Sequence, residues 1–334
     1  MMNVLEVEDL KKHFPIRRGF LRKVVGQVKA VDGVGLTIAK GQTVSLVGES
    51  GCGKTTVSRC IVRALQPTSG AIRFRPQDGE MIDVAKLNRR GLAPLRPHMQ
   101  MIFQDPFSSL NPRMMVGDII AEPMLINGIG DAASRAARVR DLLELVKLPA
   151  AYMNRFPHAF SGGQRQRVGI ARALALNPSL VVADEPVSAL DVSVQAQIVN
   201  LMLELQERLG LSYLFVAHDL SVVKHMSDRV AVMYVGRIVE EAPTTDLFKV
   251  PRHPYTEALL SAVPKPDPRR RSERIILKGE VADPANAPPG CAFHPRCKYA
   301  TERCKIETPG LVEIAPAHKV SCHHANELRL TGVD

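Results

Sequence analysis

Gly48-Glu49-Ser50-Gly51-Cys52-Gly53-Lys54-Thr55 fits the pattern G-x-x-x-x-G-K-[ST]. Its glycines let the backbone curl so that successive N–H groups point at a β-phosphate. Lys54 reaches the β- and γ-phosphates and Thr55 offers a hydroxyl to Mg2+. The helix that follows presents its positive N-terminus. The short apolar run Thr43–Val47 reads as a strand feeding this loop, and Thr55–Leu65 as the helix leaving it. From average residue frequencies, a chance match in a chain of this length is on the order of one per cent. The flanking strand and helix lower that figure, and the stretch reads as a nucleotide site in an α/β fold.

Working outward, Val4–Leu10 and Val31–Ile38 predict two strands separated by a basic segment, Pro15–Lys29. Pro67-Thr68-Ser69-Gly70 is a turn. From Asn111 to Phe160 the pattern becomes helical, with apolar residues at three- and four-residue spacing in Val116–Leu125 and Ala132–Leu148. Beyond it come a helix Arg165–Leu176, an apolar strand Leu180–Ala183, a helix Val194–Leu209, and strands Ser212–Ala217 and Arg229–Tyr234. Strands alternating with helices imply a mostly parallel sheet covered on both faces. From Pro243 onward the composition shifts: half of the 24 prolines lie there, with Cys291, Cys297, Cys304 and Cys322. The reading is two domains, 1–245 and 246–334, with a helical subdomain at about 105–160.

Two further stretches carry chemistry. Leu180-Val181-Val182-Ala183-Asp184-Glu185 is an apolar strand that delivers Asp184 to a Mg2+ shell, with Glu185 beside it to orient the attacking water. Ser161-Gly162-Gly163-Gln164 opens a helix with Ser161 at the N-cap. A hydroxyl, two glycines and a helix N-terminus make a second phosphate-binding surface. Lys54 already serves one nucleotide, so this second surface calls for another.

In this order the motifs resemble the ATP-binding subunits of ABC transporters across residues 4–240. The resemblance implies a P-loop ATPase with a RecA-like sheet, an antiparallel β subdomain, an inserted helical subdomain and a small irregular Cys/Pro-rich extension. ATP and Mg2+ are its implied ligands, held by Gly48, Glu49, Ser50, Gly51, Cys52, Gly53, Lys54, Thr55 and Thr56. It assigns Mg2+ to Thr55, Gln104 and Asp184, and catalysis to Glu185, His218 and Gln104. Ser161, Gly162, Gly163 and Gln164 form the signature that closes over a partner's γ-phosphate. The signature here begins Phe160 where Leu is usual, outside the phosphate-contacting residues. Asp191 lies in the loop Ser188-Ala189-Leu190-Asp191 that crosses the dimer interface. Phe14 takes the place of the aromatic stacked on adenine, ahead of the basic segment.

Asp105-Pro106-Phe107-Ser108-Ser109-Leu110-Asn111-Pro112-Arg113 is similar to the ATPases of dipeptide and oligopeptide importers. So are Arg252-His253-Pro254-Tyr255-Thr256-Glu257-Ala258-Leu259-Leu260, Pro264-Lys265-Pro266-Asp267-Pro268 and Gly290-Cys291-Ala292-Phe293-His294-Pro295-Arg296-Cys297. Those systems use two ATPases, and the residues Gln164–Leu174 and Glu185–Asp191 resemble the F-type member. The resemblance implies a heterodimer with a D-type subunit, two permeases, and indirectly a substrate-binding protein. It implies a peripheral position on the cytoplasmic face of the inner membrane. Its relatives carry dipeptides, longer peptides, glutathione, opines or nickel.

Thiols stay reduced in a cytosolic compartment, so the tail cysteines are not expected to pair. Independent buried thiols are one reading and a bound metal centre the other. The spacing C-x5-C-x6-C-x17-C lacks the short C-x2-C hook of zinc ribbons. Resemblance to the importer ATPases implies a 4Fe-4S cluster on Cys291, Cys297, Cys304 and Cys322, zinc being the alternative. His294, His323 and His324 stand as possible substitutes or neighbouring groups.

The remaining composition sets bounds. No apolar run approaches the ~20 residues that span a bilayer, and the first residues lack the order of a secretory signal. The net charge of +10 permits a nucleic-acid, anionic-lipid or acidic-protein partner and equally a solvated basic surface, so charge alone decides nothing. Its densest cluster is Arg269-Arg270-Arg271. A soluble ABC ATPase acting on nucleic acid is the rival. Repair members place long coiled coils between the two halves of the site, and the interval from Lys54 to Ser161 has no room for one. With no Trp, a base-stacking platform is poorly supported. No nucleic-acid partner is expected.

Overall fold

A computed structural model describes residues 2–20, 23–77, 79–105, 107, 109–263 and 274–333. Pro106, Ser108, the run Pro264–Pro268 and the cluster Arg269–Arg271 lie outside the described residues. The chain packs as two compact units that interleave along the sequence. One holds residues 1–4, 38–42 and 74–216, the other residues 5–37, 43–73 and 217–334.

The second of these units contains the phosphate loop. Its strand Thr43–Val47 is buried throughout and runs parallel to Arg229–Tyr234, with Val44 beside Arg229 and Val47 beside Val232. A run of β-branched and apolar residues buried on both faces is what a central parallel strand requires. Arg229–Tyr234 then turns through Val235-Gly236, both at positive φ, into the antiparallel strand Arg237–Pro243. The tail supplies two more antiparallel strands, His318–Val320 on Arg237–Pro243 and then Val312–Ala315. It also contributes a helix, Pro254–Ser261, and otherwise follows mostly turns and irregular chain.

Near the N-terminus the strands are longer than the sequence pattern predicts. They run Asn3–Arg18 and Lys23–Ala39, so most of the basic segment Pro15–Lys29 is itself strand. Both faces of the ribbon's outer half are solvated, with Arg17, Arg18, Lys23, Val24 and Val25 exposed. No apolar alternation therefore marks it, because alternation records a one-sided burial. The strand order there is Lys23–Ala39, Asn3–Arg18, Ser69–Phe74.

The other unit is built on the parallel strands Met99–Ile102, Leu180–Asp184 and Ser212–Ala217. The helices Val116–Ile126, Ala132–Leu145, Gly162–Leu174 and Val192–Leu209 belong to it. Ile119, Ile120, Val139, Leu142 and Leu143 are buried, the inward faces that the three- and four-residue spacing foretold, and Val168 and Ile170 of the helix Gly162–Leu174 are buried as well. Among the described residues no helix is long and apolar enough to cross a membrane.

Candidate functional site

At the phosphate loop, the backbone makes a turn that only glycine fits. Gly48 and Gly53 lie at φ 155° and 108°. A Cβ on Gly53 would stand 2.0 Å from the Ala30 carbonyl oxygen, and one on Gly48 2.2 Å from that of Met233. The helix Lys54–Ile61 starts directly after Gly53 with no side-chain cap, which leaves its first N–H groups for an anion. The Lys54 side chain is buried and donates to the carbonyls of Gly48 at 2.7 Å and Glu49 at 3.0 Å. Cys52 is buried beneath it, and Thr55 and Thr56 are half-buried. Burial pushes the Cys52 thiol up, against the pull of Lys54. This donor set, a curled backbone with an ammonium and two hydroxyls, fits a Mg-nucleotide phosphate chain.

The same unit holds the tail's contacts with this loop. The Glu49 carboxylate accepts two hydrogen bonds from the Arg296 guanidinium, at 2.6 and 3.0 Å, and the Glu49 N–H donates to the Tyr255 hydroxyl at 2.8 Å. Tyr255 packs with Tyr234 and Phe293 at ring-centroid distances of 4.7 and 5.4 Å. His253 is buried beside Phe293. Its Nδ1 caps the helix Pro254–Ser261 by accepting from the Tyr255 N–H at 3.0 Å, and burial lowers its pKa to about 4, against the pull of Glu240. Glu240 is fully buried and accepts from the N–H groups of Arg252 and His253 and from His318 Nε2 at 2.7 Å. Nothing in local sequence pattern reveals these anchors. Phe14 lies on the strand Asn3–Arg18, partly exposed, with the Lys12 ammonium 4.9 Å from its ring centre. His218 is exposed directly after the strand Ser212–Ala217.

In the other unit, Gln104 and Glu185 meet across 81 positions of sequence: the Gln104 amide donates to Glu185 Oε2 at 2.9 Å. Asp184 ends its strand buried, at 3% exposure. Glu185 sits at φ 48°, with its N–H donating to the Val216 carbonyl. A non-glycine residue in that region is uncommon and costs energy that the surrounding structure must offset. The chain before the signature helix is joined to it by Arg172, which donates to the Ser109 carbonyl at 2.6 Å, and by Arg165, whose guanidinium lies 4.0 Å from the Phe107 ring centre. These arginines were not singled out in the sequence.

Ser161 closes a capping box. Its N–H donates to Gln164 Oε1 at 3.0 Å while its Oγ accepts from the Gln164 N–H at 3.4 Å. Gly163 approaches the next helix so closely that a Cβ would meet Val194 Cγ1 at 2.4 Å, and Gly162 lies beside Leu190. Asp191 caps the helix Val192–Leu209, and the Val194 N–H, with the Ser193 hydroxyl, holds its carboxyl below the usual range.

The metal assignment for the tail is overturned. Among the described residues no group of three or more His, Cys, Asp or Glu side chains is placed to hold a metal ion. Neither a 4Fe-4S cluster nor zinc on Cys291, Cys297, Cys304 and Cys322 is supported, and the reading that fits is thiols packed in an apolar pocket with Phe293, Tyr299 and Leu328. Burial pushes Cys297 up to about 11 and Cys322 up to about 12, and raises Cys291. Cys304 alone is lowered: burial opposes this, but bonds from Thr301 and His324 prevail. Of the neighbouring imidazoles, His294 bonds the Cys291 carbonyl, His323 that of Glu307, and His324 bonds Glu327 and Thr301 as well as Cys304.

Comparison with known proteins agrees with this geometry. Residues 31–188 match the model described as "ABC transporter", and residues 239–304 the one described as "Oligopeptide/dipeptide transporter, C-terminal region". The chain is 52% identical over 322 residues to the oligopeptide transport ATP-binding protein AppF of Bacillus subtilis, covering 96% of this chain and 97% of AppF. To the dipeptide transport ATP-binding protein DppF of Haemophilus influenzae it is 47% identical, covering 96% of each. A solved structure of the ATP-binding cassette MJ0796, dimeric and bound to ADP and Pi, aligns with a TM-score of 0.62 at 28% identity, covering 72% of this chain and 98% of that one. The fold and site define an ABC-type ATPase. The chain belongs to the family of ATP-binding subunits of oligopeptide/dipeptide ABC transporters.

Proposed function

We propose that this protein hydrolyses ATP to power uptake of dipeptides or oligopeptides, as the F-type member of a heterodimer with a D-type ATPase beneath two permeases. A substrate-binding protein delivers the solute to those permeases. The protein sits peripherally at the cytoplasmic face of the membrane. Residues 1–245 form the nucleotide-binding domain, with the helical subdomain at about 105–160, and residues 246–334 the extension. The observation that carries this reading is the glycine-built phosphate loop, with Lys54 donating into it, in a chain half identical along nearly its whole length to AppF.

The residue roles are those that the family resemblance implies. Gly48–Thr56 bind the phosphates, and Thr55, Gln104 and Asp184 hold Mg2+, which when bound neutralises phosphate charge and aligns the phosphoryl group. Glu185 orients the water that attacks the γ-phosphate, and the 2.9 Å bond from Gln104 supports that role by fixing one of its oxygens. His218 senses the γ-phosphate and Phe14 stacks on adenine. Ser161, Gly162, Gly163 and Gln164 bind the γ-phosphate held by the partner, and Asp191 lies at the interface with it. The exposed Phe103, Phe107, Leu125 and Ile126 supply an apolar surface in the unit of Gln104, suited to the coupling segment of a permease. Closure of the ATP-bound dimer then moves the permeases as rigid bodies.

The test is reconstitution in liposomes with its permeases and each ATPase alone or together. Peptide-stimulated ATP hydrolysis with accumulation only when both ATPases are present is the expected result. Full activity with this chain as the sole ATPase would remove the heterodimer, and uptake of nickel but no peptide would remove the cargo.

A further inference from the structure

The tail's hydrogen bonds to the phosphate loop converge on Glu49 and hold it from two sides. The Arg296 guanidinium grips the carboxylate with two parallel bonds of 2.6 and 3.0 Å, and the Arg296 side chain is only 8% exposed. A bidentate pair fixes orientation as well as charge, and its partial burial, with Glu49 at 28% exposure, reduces solvent screening. On the backbone side, the Tyr255 hydroxyl accepts from the Glu49 N–H at 2.8 Å. Both anchors are themselves fixed. Tyr255 lies in a helix capped by His253 and packs on Tyr234 and Phe293. Arg296 follows Phe293 and His294 in a short turn where its N–H donates to the Phe293 carbonyl at 3.0 Å.

Electrostatics gives the contact a consequence. Glu49 adds a negative charge to a loop whose ligand carries several, and its carbonyl is one of the two that Lys54 engages. Without a counter-charge, a carboxylate at that position repels the incoming phosphates. We propose that Arg296 and Tyr255 are positioning residues for the phosphate loop. They neutralise Glu49 and fix the turn there, so that nucleotide affinity is coupled to docking of the C-terminal extension. This rests on the phosphate-loop reading of Gly48–Thr55. The coupling is reciprocal, so a bound nucleotide tightens the tail by the same factor as the tail tightens the nucleotide.

The experiment titrates the full-length chain with Mg2+ and a non-hydrolysable ATP analogue, and compares KM and kcat for ATP. Arg296→Gln is expected to weaken binding about tenfold, the scale of a charge-assisted bond, with the effect on KM rather than kcat. Made in a Glu49→Gln background, the same substitution is expected to change affinity less than twofold, because the charge it neutralises is gone. Tyr255→Phe keeps the ring packing and is expected to weaken binding about threefold. It carries the test if Arg296→Gln does not fold. The reciprocal readout is hydrogen exchange over residues 290–306, expected to slow when the analogue binds. Equal losses from Arg296→Gln in both backgrounds overturn the neutralisation. Wild-type affinity in both Arg296→Gln and Tyr255→Phe, with Lys54→Ala binding poorly, overturns the coupling and leaves the phosphate loop standing. Unimpaired binding by Lys54→Ala overturns both.

Discussion

Acidifying the protein from pH 7 to pH 4.5 tests the tail's attachment through one imidazole. His253 is fully buried, its Nδ1 accepts the Tyr255 N–H, and its folded pKa is lowered to about 4 by burial, against the pull of Glu240. The unfolded chain binds that proton at the ordinary 6.5, so below this value the unfolded state holds more protons than the folded one. Its contribution is thus complete above pH 6.5 and is lost as pH falls toward 4. The interval is about two and a half pH units, and at about 1.4 kcal/mol each the loss sums to about 3.5 kcal/mol. By pH 4.5 about 2.5 kcal/mol of it is gone. The comparison is with His253→Asn, whose side-chain oxygen still caps the helix but does not titrate. Urea unfolding followed through tyrosine signals at several pH values gives both profiles, and their difference isolates the imidazole. Parallel profiles from pH 7 to 4.5 would refute the argument, since they would mean that His253 is solvated or already protonated in the fold.

Lys54→Ala is expected to abolish ATP hydrolysis without unfolding the chain, measured by phosphate release beside a thermal melt; retained turnover would remove the loop assignment. Glu185→Gln is expected to keep ATP binding and to slow hydrolysis by about 10²-fold or more. Near-normal turnover would sink its role as the water-orienting base. Gly53→Ala forces a Cβ at φ 108° against the Ala30 carbonyl, and a loss of at least about 2 kcal/mol in unfolding free energy is expected. Ser161→Ala removes half of a capping box and is expected to cost about 1 kcal/mol. An unchanged melting curve would argue that the cap contributes nothing.

The phosphate loop and the buried parallel strands were legible because each is a local statement. Thr43–Val47 and Leu180–Ala183 are apolar on both faces, and a glycine-rich run between strand and helix has few other uses. The helices Val116–Ile126 and Ala132–Leu145 were legible by spacing, and the helix Gly162–Leu174 by the Ser161 cap that opens it. The outer ribbon of Asn3–Arg18 and Lys23–Ala39 did not, because two solvated faces leave no alternation to read. The short tail strands Val312–Ala315 and His318–Val320 were missed for a related reason. Strands of four and three residues carry little pattern, and they exist because Arg237–Pro243 offers them an edge. In the site, the Arg296–Glu49 pair spans 247 positions and the Gln104–Glu185 bond 81, distances at which spacing conveys nothing. The cysteines misled for the opposite reason. Their number and the family resemblance invited a ligand set, while spacing alone does not say how the side chains are placed, and among the described residues no group of three or more His, Cys, Asp or Glu is placed to hold a metal ion.

The aromatic cluster under the phosphate loop makes the protein its own spectroscopic probe. The chain has no Trp and five Tyr. Two of those five, Tyr234 and Tyr255, lie in contact in that cluster, and the hydroxyl of one bonds the backbone of Glu49. Ultraviolet difference spectra and near-ultraviolet dichroism, undisturbed by indole, therefore record the phenol at the loop whenever nucleotide enters or the tail lifts. Loop and tail can be followed in the native sequence, in real time, without attaching a dye.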